Sequence, residues 1–252
     1  MNNIKAIFCK QFKSMIKSPG MLLQGGAFLL IALVMTFLIG MDEERDCDAC
    51  ITAYVCAECM EANPALDTPN PSIFGLFAVL FIGMAMIGSA SALVAEDKST
   101  QNLRFITMAN VKPKEYLIGT VASMMLLSFG VLVLYALAGR YWGMEMVWFV
   151  AVMWSASLVS IIFGLTIGLS KSPALAFPVS MVLGMGPMLS SFNENLARYL
   201  RFTYTQQANM AASDLNQGLS MDFTSNFIII GINGIVVLAA FIWIHRKGSL
   251  RY

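Results

Sequence analysis

Six apolar stretches run along the chain: Leu22–Met41, Ile73–Ala95, Leu117–Ala138, Val147–Leu169, Ala174–Ser191 and Ser225–Ile244. A helix rises about 1.5 Å per residue, so about 20 residues cross a hydrocarbon core of about 30 Å. All but one stretch reach that length. The stretch from Ala174 is shorter and holds Pro178, Gly184, Gly186 and Pro187, which predict a kink or a break. No Asp, Glu, Lys, Arg or His falls inside any of the six.

Ahead of them lies a different pattern. Ile4, Ile7, Phe8, Phe12, Met15 and Ile16 share one helical face, and Lys5, Lys10, Lys13 and Lys17 the other. This predicts an interfacial helix over residues 1–20, lying on the inner leaflet. The plainer alternative is a cationic anchor for the first span. Pro19-Gly20 turns the chain into the membrane. The first apolar run is too long for a signal h-region and no small-residue cleavage site follows it, so no cleaved leader is expected.

Composition supports lipid as the solvent. Hydrophobic residues make up 58%, charged residues 12%, and mean hydropathy is +0.70. A soluble domain carries roughly a quarter charged residues. The expected architecture is therefore an all-α integral membrane protein, with one six-span domain over residues 21–252. Of the 16 Lys and Arg, all but Arg45, Arg140, Arg198 and Arg201 fall on one side if both ends and the loops after the second and fourth spans lie together. That bias predicts cytoplasmic termini in a multi-pass protein of the plasma membrane.

The empty spans exclude several classes. Ion-coupled transport needs ionisable groups at membrane depth. Intramembrane proteolysis needs a nucleophile–base pair or paired carboxylates. The single histidine, His245, stands at the inner end of the last span beside Arg246 and Lys247, as an interfacial cap. No GxxxxGK[ST] loop is present, so the energy for active transport must come from a partner.

Residues 42–72 form an outside loop with Cys47, Cys50, Cys56 and Cys59 in two CxxC pairs. Such pairs suit tetrahedral zinc, though their separation is short for a zinc ribbon. An outside loop favours disulfides, Cys47–Cys59 with Cys50–Cys56. Free thiols are the third option. Cys9 is expected to lie inside, alone and packed.

The inside loop over 96–116 has acids at its start and bases later, which suits a helix dipole. Ser99 or Thr100 can cap a short helix, and Leu103, Ile106 and Phe105 give it an apolar edge for a soluble partner to grip. Glu96, Lys98, Ser99, Thr100, Leu103, Lys112, Glu115, Leu117 and Gly119 resemble the coupling segment of the type-2 permease family of ATP-binding-cassette (ABC) exporters. The family often has a Thr-Pro pair in mid-loop, where this chain has Met108-Ala109. The resemblance is motif-grade only around this loop.

The resemblance implies an interfacial amino-terminal helix, six spans and a re-entrant segment before the last span, here 192–224. Leu196, Tyr199, Leu200 and Tyr204 would be its membrane-facing side; the alternative is an ordinary outside loop. It also implies a second permease copy, as a homodimer or with a close paralogue. A cytoplasmic ABC ATPase would dock on Phe8, Phe12, Glu96, Asp97, Lys98, Ser99, Thr100, Leu103 and Ile106. ATP and magnesium would sit in that partner; this chain would hold no cofactor, perform no catalysis and bind no nucleic acid. With 19 Met and 17 Phe, the chain suits an adaptable apolar path, although both residues are also ordinary lipid-facing packing. The expected function is export of a hydrophobic or amphipathic molecule by alternating access, with an amphipathic or toxic peptide ahead of a drug. The alternatives are an immunity or scaffold protein that holds a ligand at its outside loop without transport, and, with little support, a channel or an intramembrane enzyme.

Overall fold

A computed structural model describes residues 2–17, 20–49, 71–100, 113–170, 173–190, 194–216 and 223–249. Among these there is no strand. The helices are α1 (Asn2–Lys17), α2 (Gly20–Ala49), α3 (Pro71–Leu80), α4 (Ile87–Ser99), α5 (Pro113–Ala138) and α6 (Met144–Leu169), followed by α7 (Ala176–Ser190), α8 (Glu194–Leu200), α9 (Tyr204–Asn216) and α10 (Phe223–Ser249). A π-helical turn, Phe81–Met86, joins α3 to α4, and a 3-10 turn, Pro173–Leu175, leads into α7.

Helix therefore occurs at all six apolar stretches. Ile73–Ser99, Glu115–Ala138, Met144–Leu169 and Ser225–Ile244 are long and apolar enough to cross a membrane, while Leu22–Leu38 and Ala176–Ser190 are shorter apolar helices. The expected break in the fifth stretch is not seen. Helix α7 is continuous through Pro187. Pro178 stands in its first turn, where no N–H is needed for the helix.

The core lies between α3–α4 and α6. In the former, 67% of the most apolar window is buried, against 11% in α10, so the last helix is peripheral. Gly164 and Gly168 make the central contact possible. A Cβ on Gly164 would lie 2.5 Å from the Ile87 carbonyl oxygen, and one on Gly168 would lie 2.9 Å from that of Ser91. Small residues four apart let two helix backbones touch, which is how apolar helices associate when lipid offers no hydrophobic drive. These contacts run in register, so α4 and α6 are parallel, and α4 continues about two turns past the end of α6. Met153, Ala156, Ile161 and Leu165 of α6 are all buried in the core.

A second close approach occurs at the π turn. A Cβ on Gly83 would stand 2.4 Å from the Gly184 Cα. Helix α7 thus crosses the chain where it is already widened by i→i+5 pairing. Elsewhere, Tyr135 ties α5 to α2 through a hydrogen bond to the Gly25 carbonyl at 3.2 Å. The α5–α6 link is short, with Tyr141 stacked on Phe149 at 4.5 Å and Gly143 at φ 63°.

Candidate functional site

The parallel run of α4 and α6 delivers Lys98 to the end of α6. Its Nζ donates to the carbonyls of Gly168, Leu169 and Ser170 at 3.4, 3.1 and 3.2 Å. Those carbonyls are the unsatisfied acceptors of a helix C-terminus, and an ammonium there also opposes the helix dipole. The close approach at Gly164 and Gly168 is what brings the Lys98 side chain within reach of these carbonyls.

Asp97 faces the other way. It is 7% exposed, and its Oδ2 accepts from Gln11 Nε2 at 3.1 Å and from the Tyr116 hydroxyl at 2.5 Å. Gln11 belongs to α1 and Tyr116 to α5. A buried carboxylate needs such donors, and hydrogen bonds to a charge are the strong ones. Adjacent residues at the end of α4 therefore hold three other helices. Ile7, Gln11 and Met15, each four apart, form the buried stripe of α1. Ile7 packs into the gap left by Gly119, where a Cβ would meet its Cγ2 at 2.8 Å. Phe8 and Phe12 are half-buried and stack at 5.8 Å.

The helix end itself is closed by its own side chains. The Ser99 hydroxyl, the Thr100 hydroxyl and the Thr100 N–H all donate to the Glu96 carbonyl, at 2.9, 2.8 and 2.9 Å. These hydroxyls thus finish α4. Glu96, Ser99 and Thr100 are exposed.

The proposed docking set accordingly divides. Glu96, Ser99 and Thr100 present an exposed edge at the end of α4. Asp97 is turned inward to Gln11 and Tyr116, and the Lys98 ammonium is engaged by the end of α6. Leu103 and Ile106 lie outside the described residues. Sequence reading missed Gln11 and Tyr116. Gln11 was legible as the polar member of an otherwise apolar i, i+4, i+8 stripe; Tyr116 carried no comparable signal. Cys9 is exposed and free, contrary to the packed position expected for it. Cys47 falls within α2, and Cys50, Cys56 and Cys59 lie outside the described residues.

Between α7 and α10 the chain forms a helical hairpin, α8–turn–α9. Tyr204 is 3% exposed and pairs with Ser160 of α6, the hydroxyl oxygens 2.8 Å apart. It does not face outward as the sequence suggested, because its hydroxyl finds a partner inside the bundle. Tyr199 is 79% exposed. The turn, Arg201–Thr203, is held from three sides. Asn233 Nδ2 of α10 donates to the Phe202 carbonyl at 2.9 Å, Gln207 Nε2 to the Arg201 carbonyl at 2.5 Å, and the Thr203 hydroxyl to the Leu200 carbonyl at 2.7 Å. Ser160 lies about 24 Å along α6 from Met144, and Asn233 about 15 Å along α10 from Phe223. The turn therefore sits at mid-helix level. From there α9 runs back toward the start of α3, where Ala212 fills the gap at Gly75.

A cleft of about 270 Å³ opens between α2, the π turn with α4, and α7, lined by Gln24, Phe28, Met84, Ser91, Phe177 and Ser180 among others.

These features define a multi-pass membrane protein, helical throughout its described residues, whose helices are bolted together at one end by a charged junction. The chain belongs to the ABC-2 type transporter family, whose model matches residues 2–204. Membership makes it a membrane permease component of an ABC transporter, not a catalyst, and implies a bilayer and an ABC ATPase as its partners. No curated protein and no solved structure matches the chain.

Proposed function

We propose that the chain is the transport pathway of an ATP-driven exporter, with six spans, both ends cytoplasmic and the α8–α9 hairpin re-entrant from the outside. Two copies, or this chain and a close paralogue, pair above two ATPase subunits that hold the ATP and magnesium. The motor grips α1 and the 96–116 coupling loop. The observation that carries this reading is the double use of Asp97 and Lys98. Through Gln11, Tyr116 and the end of α6, a push on α1 or on the loop moves four helices as one block. Such a block converts closure of the motor into rigid-body rocking of the spans. The cargo is hydrophobic or amphipathic, with an amphipathic peptide ahead of a drug; the cleft beside Phe28, Met84 and Phe177, with Gln24, Ser91 and Ser180 as its polar members, suits such a molecule.

The test is vesicle uptake with and without ATP, after co-purification of the chain with its ATPase. Replacing Glu96, Leu103 and Ile106 together by Ala should abolish cargo-stimulated ATP hydrolysis while leaving the helices intact. Unchanged transport in that variant would overturn the docking assignment. Binding of cargo with no ATP-dependent uptake at all would favour the ligand-holding scaffold instead.

A further inference from the structure

The six apolar stretches carry no charge, yet the hairpin places Arg201 beside Phe202, whose carbonyl is bonded to Asn233 in the middle of α10. Resting on the re-entrant reading above, this puts the backbone that carries Arg201 at bilayer depth. Arg198, Tyr199, Arg201 and Phe202 are all exposed, the two aromatics at 79% and 70%. Charged groups at that depth face a cavity or a counter-charge. Glu194 opens α8, four residues before Arg198. Asp214 is near the far end of α9, past the Ala212–Gly75 contact. No other acid belongs to the described hairpin, and none belongs to the six apolar stretches. The turn is also held rigid by Asn233, Gln207 and Thr203, so Arg201 and Phe202 are presented by a fixed backbone.

We propose that the hairpin turn is a binding site for the anionic group, phosphate or carboxylate, of an amphipathic molecule. Arg201 takes the anion, as a guanidinium suits planar oxyanions, and Tyr199 and Phe202 cover the adjoining apolar chain.

The full-length chain, purified in a neutral maltoside detergent, is titrated with a fluorescent alkyl phosphate, the matching alkyl carboxylate and the matching alkyltrimethylammonium. The anions should bind at least tenfold tighter than the cation. Arg201→Gln should remove that preference, Arg201→Lys should keep part of it, and Phe202→Ala should weaken all three probes alike. Thermal unfolding of each variant verifies that it is folded. Should Arg201→Gln fail to fold, protection of Arg201 from a guanidinium-directed dicarbonyl reagent by the alkyl phosphate replaces it. Two sources of anion are then separated. Phosphatidylglycerol that survives purification and is lost in Arg201→Gln assigns the group to a lipid; anion binding without such retention assigns it to cargo. Equal affinity for anion and cation, or a preference untouched in folded Arg201→Gln, overturns the site. No ATP is used, so failure here leaves the exporter reading standing, and failure of ATP-driven uptake leaves this binding result standing.

Discussion

Tyr116 donates its hydroxyl to Asp97 Oδ2 at 2.5 Å, joining the start of α5 to the end of α4 across the loop that links them. With Gln11 on the same oxygen, the carboxylate is the meeting point of three helices. Tyr116→Phe should lower stability by about 2 kcal/mol, the worth of a hydrogen bond to a charged group. Asp97→Ala should cost at least as much, because it strands both donors. Thermal unfolding in detergent measures both. Both should also uncouple ATP hydrolysis from cargo, which a merely local defect would leave unchanged.

Lys98→Met removes the cation from the last turn of α6. The expected loss is about 1 kcal/mol, confined to that end. Hydrogen exchange of residues 166–170 should quicken, while that of residues 150–160 stays as in the native chain. Uniform quickening along α6 would contradict the local role.

The Gly83–Gly184 approach is backbone on backbone, so no side chain can move to make room. Gly83→Ala should destabilise by about 3 kcal/mol or prevent assembly of the fold. Gly130→Ala, where a Cβ meets nothing within 4 Å, should be neutral or slightly stabilising. Comparing yield and thermal midpoint of the two variants isolates the close contact from helix propensity.

Tyr204 and Ser160 share one hydrogen bond at 2.8 Å. Tyr204→Phe and Ser160→Ala should each cost about 1 kcal/mol, and the pair together less than their sum. An additive double-mutant cycle would mean that the hairpin is not docked there.

Cys9 is exposed on α1. In a variant keeping it as the sole cysteine, a membrane-impermeant maleimide should label it rapidly in inside-out vesicles and not in right-side-out ones. The opposite result would reverse the proposed orientation.

Much of this protein was legible from its sequence because lipid imposes a coarse rule. Every backbone polar group must be satisfied within a helix, so long apolar runs declare themselves, as do Lys5, Lys10 and Lys13 opposite Ile7 and Met15 on α1. The residues from Glu96 to Gly119 carried a resemblance to a permease family, and the family model that matches residues 2–204 bears out that family. What the sequence did not reveal was direction. Asp97 and Lys98 read as an exposed charged handle, yet one is buried against Gln11 and Tyr116 and the other caps α6. A charge pattern along a chain records solvent preference, not the partner a carboxylate meets across the bundle.

The same division holds for the spans and the hairpin. By itself the sequence determined that the chain is helical, where its apolar helices lie, and that their interiors carry no charge. Only tertiary structure decided that Gly164 and Gly168 bring two helix backbones together, that Tyr204 turns inward to Ser160, and that Arg201 sits level with the middle of α10. Periodicity is a local property of the backbone, fixed by one helix alone. Depth and contact depend on how neighbouring helices pack, and single glycines decide that through the space they leave.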